Sequence, residues 1–364
     1  MKLIIQPDDG PTPLLSAVKN AKKTVEVAIF RLDRSDMETT LKAAAAKGVK
    51  VTALIADVNR GGEKNLRKLE TRFLQAGITV ARSADDLVRY HDKLIIIDRR
   101  VLFILSFNFT NLDMDHSRGF GIATKNATLV QEAVKLFEAD CARRPYTARP
   151  GPFVVSPANS RKALRSFLGR AKKQLLIYDP QISDEEMIGI LRERGKAGVE
   201  IRVIGKISGR AGVAVRKMTR MRLHTRTIIR DGHQAFVGSQ SLRPAELDSR
   251  REVGLIVRDA KVVKKLLATF ESDWSATDSA NEKGTFEEEV PSAVPKKEVE
   301  KAVAVLVHEL RPLSGTVKKA VKRVVAQAGE EVLHDKIVKS TVKKVIKKAV
   351  KKAVKEAVEH SEKT

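Results

Sequence analysis

The sequence predicts an α/β fold made of two homologous layered lobes related by a pseudo-twofold, followed by a basic helical C-terminal tail. Strand-like apolar runs alternate with helical patterns, this alternation occurs twice, and the composition changes abruptly after Trp274. The duplication is the strongest of these signals. Ala21-Lys22-Lys23-Thr24-Val25 matches Ala171-Lys172-Lys173-Gln174-Leu175, and Gly48-Val49-Lys50-Val51 matches Gly198-Val199-Glu200-Ile201, both 150 residues apart. Further on, Phe137-Glu138-Ala139-Asp140 matches Phe270-Glu271-Ser272-Asp273 at an offset of 133. Two constant offsets with one step between them describe equivalent halves, residues 1–150 and 151–274. They differ by 17 residues, gained or lost between Gly48 and His91.

In the first half Val25 to Phe30 is an apolar strand-like run, Asp36 to Ala46 a helix and Val49 to Ile55 a second strand. The extra piece is a helix around Lys64 to Ala76, where Leu66, Leu69, Phe73 and Leu74 recur at helical spacing. Lys93 to Ile97 and Val101 to Leu105 form a strand pair turned at Asp98-Arg99-Arg100. The second half repeats the series with Gln174 to Tyr178, Asp184 to Lys196, Val199 to Ile204, Thr227 to Arg230 and Gln234 to Val237, the last two turned by Asp231-Gly232-His233.

Residues 275–298 contain Pro291, Pro295 and the run Glu287-Glu288-Glu289, which is a linker composition. Residues 299–364 read as helices. Val299, Ala302, Val303, Leu306 and Leu310 form one stripe, and Val317, Val321, Val324 and Ala328 another. The end repeats units such as Val350-Lys351-Lys352-Ala353. Four residues advance about 400° around a helix, so the apolar pair drifts only about 40° per unit. The product is a basic amphipathic helix suited to anionic lipid or nucleic-acid phosphates. It lacks aromatic anchors, and a solubilising tail or small bundle has the same composition.

Charge and cysteine content narrow the function. The net charge is +24, of which residues 1–274 hold +19, so an anionic partner is expected of the body as well as the tail. Arg210, Arg216, Lys217, Arg220 and Arg222 crowd the approach to His224. The single cysteine, Cys141, excludes an internal disulfide, and no metal-ligand pattern is present. No run of about 18 apolar residues occurs and Met1 to Gly10 lacks a signal pattern, so the expected location is cytoplasmic, with peripheral membrane or nucleoid association through the tail.

The chemistry lies in two matched segments. His91-Asp92-Lys93 runs to Asp98 and is followed by Ser106 and Asn108; His224-Thr225-Arg226 runs to Asp231 and is followed by Ser239 and Ser241. In both, the cation stands two residues after the histidine, the aspartate seven after and the serine fifteen after. A spacing of two on a strand places histidine and cation on one face. One His-x-Lys carries little weight, but two in register carry much more. The paired segments resemble the H-x-K-x4-D motifs of the phospholipase D superfamily, and the resemblance covers roughly residues 10–274. It implies that both histidines share one cleft, that a phosphohistidine forms without metal or other cofactor, and that phospholipid or an anionic membrane surface, or DNA or RNA, is the partner.

On that reading Lys93 and Arg226, with Ser106, Asn108, Ser239 and Ser241, cradle the phosphate oxygens. One imidazole attacks phosphorus and the other acts as acid and base. Asp98 and Asp231, at the turns, are expected to brace the motifs. Glu252, thirteen residues after Ser239, stands where the family has a carboxylate that orients a histidine. In the first half that position falls at Arg118-Gly119, leaving Asp113 or Asp115 as substitutes. The resemblance favours His91 as nucleophile and His224 as acid, whereas Glu252 would suit either a proton donor or an oriented nucleophile at His224. Three functions fit: a phospholipase D or cardiolipin-synthase-like enzyme cleaving or exchanging a phospholipid head group, a nucleic-acid phosphodiesterase, or an anionic-surface binding module silenced by Arg226, Ser241 and Arg118.

Overall fold

The computed structural model describes residues 1–57, 63–209 and 212–279. The first half runs β1 (Lys2–Gln6), α1 (Thr12–Lys19), β2 (Thr24–Ile29), α2 (Ser35–Ala46), β3 (Lys50–Ile55), α3 (Glu63–Gln75), β4 (Thr79–Arg82), β5 (Arg89–Tyr90), β6 (Leu94–Ile97), β7 (Val101–Leu105), α4 (Asn111–Asp115), β8 (Ser117–Thr124) and α5 (Ala127–Cys141). The second half repeats it without a counterpart of α3: β9 (Phe153–Ser156), α6 (Ser160–Gly169), β10 (Gln174–Ile182), α7 (Glu185–Lys196), β11 (Glu200–Ile207), β12 (Ala214–Lys217), β13 (Arg222–Leu223), β14 (Arg226–Arg230), β15 (Gln234–Gly238), α8 (Pro244–Asp248), β16 (Arg250–Val257), α9 (Ala260–Ser275) and β17 (Asp278–Ser279).

Each half contributes one mixed sheet. The first has the order β1-β8-β7-β6-β2-β3-β4 and the second β17-β12-β11-β10-β14-β15-β16-β5, with β9 also on β16. The central motif strands are covered on both faces, which is why β6 is the unbroken run Leu94-Ile95-Ile96-Ile97, buried at every position. Residues from both sheets and from α5 and α9 share one core, including Leu94, Phe120, Phe137, Tyr178, Val237 and Phe270. Separate cores pack α1, α2 and α3 onto the other face of the first sheet and α6, α7 and α8 onto that of the second. The described residues, which end at Ser279, accordingly fall within one compact unit. The extra helix expected between the offsets is α3, with Leu66, Leu69 and Phe73 buried and Leu74 exposed.

The halves also exchange strands. Short β5, just ahead of His91, pairs with β16 of the second half (Arg89↔Arg250, Tyr90↔Arg251). Short β13, just ahead of His224, pairs with β8 of the first (Arg222↔Ser117, Leu223↔Arg118). Two buried ion pairs repeat this symmetry. Arg118 donates from Nε and Nη2 to Asp273 at 2.8 and 2.9 Å and from Nη1 to the Gln6 carbonyl. Its twin Arg251 donates to Asp140 at 2.9 Å and to the Ser156 carbonyl. Arg118 is therefore part of the architecture and not a degenerate site residue, which removes one reason to read the site as silenced.

Ordered structure continues past the boundary expected at Trp274. Helix α9 extends to Ser275, and β17 pairs with β12 at Arg216↔Ser279 and Lys217↔Asp278. Most of the acidic linker and all of the lysine-rich tail lie outside the described residues.

Candidate active site

The two hairpins β6–β7 and β14–β15 set the site's position. Their turns carry Asp98 and Arg99 at φ 53° and 51°, and Asp231 and Gly232 at φ 51° and 69°. Both aspartates tolerate this left-handed backbone. The Asp98 carboxylate accepts from the backbone N–H groups of Lys22, Lys23 and Thr24 at 2.6–3.0 Å. Asp231 does the same for Lys172, Lys173 and Gln174. Each motif aspartate thus pins its hairpin to the start of the neighbouring strand, at the end opposite its histidine.

At the other end the strand exchange brings each histidine against the opposite half. The His91 backbone N–H donates to the Arg251 carbonyl at 2.8 Å, and that of His224 to the Arg118 carbonyl at 3.1 Å. His91 Nδ1 then lies 2.9 and 2.8 Å from the two oxygens of Glu252, which is fully buried. Glu252 serves His91 across the interface and not His224 in its own half, which corrects the alternative left open by sequence position alone. His91 packs edge-on against Phe30, with ring centroids 4.5 Å apart.

His224 is held differently. Arg222 Nη2 donates to its Nδ1 at 2.9 Å, and its Nε2 lies 3.0 Å from Asp113 Oδ2, outside good hydrogen-bond alignment. Of the two substitutes for the missing carboxylate, Asp113 meets the histidine, while Asp115 pairs with Arg34. Gly119, at the family's carboxylate position, cannot supply one. A Cβ there would lie 2.9 Å from the Phe107 ring.

The cations mirror each other. Lys93 Nζ donates to the His91 carbonyl, and Arg226 Nη1 to the His224 carbonyl at 2.8 Å. Arg226 Nε also donates to Ser241 Oγ at 3.2 Å. Asn108 donates its backbone and side-chain N–H groups to Asp113 Oδ2, and the Ser241 backbone N–H donates to Glu246. Ser106 Oγ accepts from the Phe120 N–H, and Ser239 Oγ from the Val253 N–H while steadying Glu252. Both serines are fully buried and buttress adjoining strands, Ser239 Oγ also donating to the Val253 carbonyl at 3.3 Å.

Burial governs the protonation states. It holds the His91 imidazolium far down, assisted by Lys93, Arg226, His224 and Arg250. It raises the Glu252 carboxyl to about 8, against the pull of Lys93. The contact at Nδ1 leaves Nε2 as the unengaged ring nitrogen, and Nε2 carries a lone pair when the pair holds a single proton, on Nδ1. Lys93 falls to about 7 through burial, with Glu252 opposing. His224 falls to about 4, again through burial, with Asp113 opposing and Arg226 adding to the fall. Asp113 is lowered despite its burial, because His224, the Asn108 N–H and Arg222 all favour its anion. Lys93, Arg226 and His224 all help to lower His91, so the two motifs lie within electrostatic reach of one another.

Phe30, Glu246 and Arg250 complete this site without having been assigned a role in it from sequence, and Arg222, expected at the approach to His224, donates to its ring. A 133-residue spacing was available as a signal for two of them, since Arg222 answers Arg89 and Glu246 answers Asp113. No group of three or more potential metal ligands occurs among the described residues.

A family model described as "Cardiolipin synthase, PLD-like domain" matches residues 14–141 and 204–274, more than half of the chain. A polyphosphate kinase of Vibrio vulnificus (strain YJ016) is 25% identical over 276 residues, covering 67% of this chain and 39% of that protein. The chain thus spans about two fifths of the length of the curated relatives it matches. Among solved structures, a polyphosphate kinase from Porphyromonas gingivalis superposes with TM-score 0.65 at 19% identity, covering 75% of this chain and 47% of that one. A phosphatidylserine synthase from Haemophilus influenzae Rd KW20 superposes with TM-score 0.60 at 13% identity, covering 85% and 94%. At these identities the structural likenesses show a shared fold.

Proposed function

Since the chain belongs to the phospholipase D superfamily, we propose that it is a phosphatidyl-transferring phosphodiesterase that uses His91 as nucleophile and His224 as acid and base. The carrying observation is the His91–Glu252 contact at 2.8 Å, which turns Nδ1 inward and leaves Nε2 for attack. His91 Nε2 forms a bond to phosphorus, the bond from phosphorus to the leaving oxygen breaks, and that oxygen takes a proton from His224. Water or an acceptor alcohol then loses its proton to His224 as its oxygen attacks phosphorus, and the P–N bond breaks. Lys93 and Arg226 stabilise the non-bridging oxygens throughout. A bound diester anion also offsets Arg226, which otherwise depresses protonation of His224.

A phospholipid as donor is supported by the description of the matching family and by the high coverage of the phosphatidylserine synthase fold. The basic tail, residues 299–364, would hold the protein at an anionic lipid surface, and no helix among the described residues is long and apolar enough to cross a membrane. A second reading, transfer from a phosphoanhydride chain, rests on the 25% identity to a polyphosphate kinase and on the basic body, which suits a polyanion.

The test incubates full-length protein with phosphatidylglycerol vesicles, with polyphosphate plus nucleoside diphosphate, and with plasmid and single-stranded DNA. Head-group release or exchange on lipid alone supports the first reading and phosphoryl transfer from polyphosphate the second. Nicking of DNA alone points to a nuclease. Protein quenched in alkaline denaturant should carry a phosphoryl or phosphatidyl group on His91 that is stable to base and released by acid, and its absence with every substrate sinks the mechanism.

A further inference from the structure

The two histidines differ in what their ring nitrogens are free to do. His91 meets Glu252 through Nδ1 alone, at 2.9 and 2.8 Å. Both nitrogens of His224 are engaged. Arg222 Nη2 donates to Nδ1 at 2.9 Å, while Nε2 is fully buried and stands 3.0 Å from Asp113 Oδ2. A nitrogen that accepts from a guanidinium carries a lone pair, so the single ring proton lies on Nε2 and the imidazole is neutral. Turning the ring over exchanges the two nitrogens and leaves this conclusion unchanged. A general acid has to present an N–H to the leaving oxygen, and His224 held in this way presents none.

The two partners of the ring are not equally fixed. Asp113 is buried, and its Oδ2 also accepts the backbone and side-chain N–H groups of Asn108 at 2.8 and 2.6 Å. Arg222 has a side chain 42% exposed and stands on β13, a strand of two residues. Its Nη1 donates to Asp113 Oδ1 at 2.6 Å and to Ser117 Oγ at 3.2 Å, while Nη2 meets the ring. Besides Arg222, His224 faces Asp113 of α4 and Arg226 of β14, and His91 of the other motif lies within electrostatic reach. Burial lowers His224 to about 4, Arg226 and Arg222 adding to the fall and Asp113 opposing. Of these neighbours, Arg222 alone occupies the nitrogen that a substrate could reach.

We propose that Arg222 is a latch on His224 which an incoming phosphodiester anion releases, an inference that rests on His224 being the acid of the proposed reaction. The planar fork that grips Asp113 and the ring also fits two oxygens of a phosphodiester. An anion gains that fork only when it leaves Nδ1, so binding favours the released state. The freed nitrogen takes a proton from solvent, and Asp113 holds the resulting imidazolium from the other side. An N–H is then available to the leaving oxygen only once substrate is bound. Arg222 is a positioning residue in the free protein and a phosphate ligand in the complex.

Full-length protein carrying isotope-labelled histidine is followed by NMR from pH 4 to 8, with and without saturating dibutyl phosphate. The His224 ring is identified by its absence from His224→Gln. Dibutyl phosphate should raise the midpoint of His224 protonation in wild-type protein by about one pH unit, the tenfold change that one charge-assisted hydrogen bond is worth. Both ring nitrogens should then carry protons. Arg222→Met should show a raised midpoint without the probe, and adding the probe should move it by less than half of the wild-type displacement. Equal displacement in the two proteins overturns the latch alone, because the anion then acts through Arg226 and the cleft remains a phosphate site. If phosphorus NMR shows no binding of dibutyl phosphate to wild-type protein, the proposed function falls together with the latch. If Arg222→Met does not fold, wild-type protein decides, and a midpoint unmoved by bound probe overturns the proposal.

Discussion

Replacing Glu252 with glutamine tests the His91 assignment most directly. The carboxylate is fully buried, and both of its oxygens lie within 2.9 Å of His91 Nδ1. When Nε2 attacks phosphorus the imidazole becomes cationic, and the facing carboxylate stabilises that charge. A hydrogen bond to a charged group is worth about 1.5–3 kcal/mol, which at about 1.4 kcal/mol per decade is about 10- to 150-fold in the rate of phosphoenzyme formation. The loss should lie at the upper end, because a glutamine amide donating to Nδ1 moves the imidazole proton to Nε2, where the lone pair is needed. Rapid-quench burst kinetics and kcat/KM on a chromogenic diester measure it. Glu252→Gln turning over within about threefold of wild type, with an intact burst, would refute the idea that this pair prepares the nucleophile.

Asp113→Asn removes the group that opposes burial at His224, so less of the imidazole carries the proton it must donate; turnover of a diester with an alkyl leaving group should fall about 100-fold and that of a nitrophenyl diester far less, and equal losses on both would reject His224 as proton donor. Phosphate affinity should decline as pH rises through about 7, because burial lowers Lys93 to that value and its ammonium is lost above it; binding of inorganic phosphate followed from pH 6 to 9 checks this, and Lys93→Met should flatten the curve. Arg118→Leu leaves Asp273 buried without its cation, which costs about 3–5 kcal/mol and lowers Tm on the order of 10 °C, and Arg118→Leu with Asp273→Leu should recover part of that in a calorimetric scan. Gly119→Glu places a Cβ 2.9 Å from Phe107, so it should cost about 1–3 kcal/mol of stability and restore no activity; a more active variant would contradict the assignment of Asp113 as the partner of His224.

Much of this was legible in the chain because duplication leaves a record in spacing. Constant offsets located equivalent strands, the extra helix and both motifs, since a two-residue period on a strand fixes which side chains share a face. The reading failed where partners come from across the interface. Glu252 is thirteen residues from Ser239 in sequence, but the histidine it holds is His91, because β5 leaves its own half to pair with β16. Arg118 looked like a lost carboxylate, whereas it is the twin of Arg251 in a pair of buried clamps. No local pattern announces either contact, since neither partner's neighbours in sequence depend on it.

The sequence by itself determined the two-lobed α/β architecture, the paired histidines and cations and the strongly basic balance, because periodicity and repetition are properties of the linear chain. Only the tertiary structure decided which carboxylate serves which histidine, and that His224 sits between Arg222 and Asp113 with both ring nitrogens engaged. Those outcomes depend on distances between residues far apart in the chain, and such distances are set by how the two sheets exchange strands and pack.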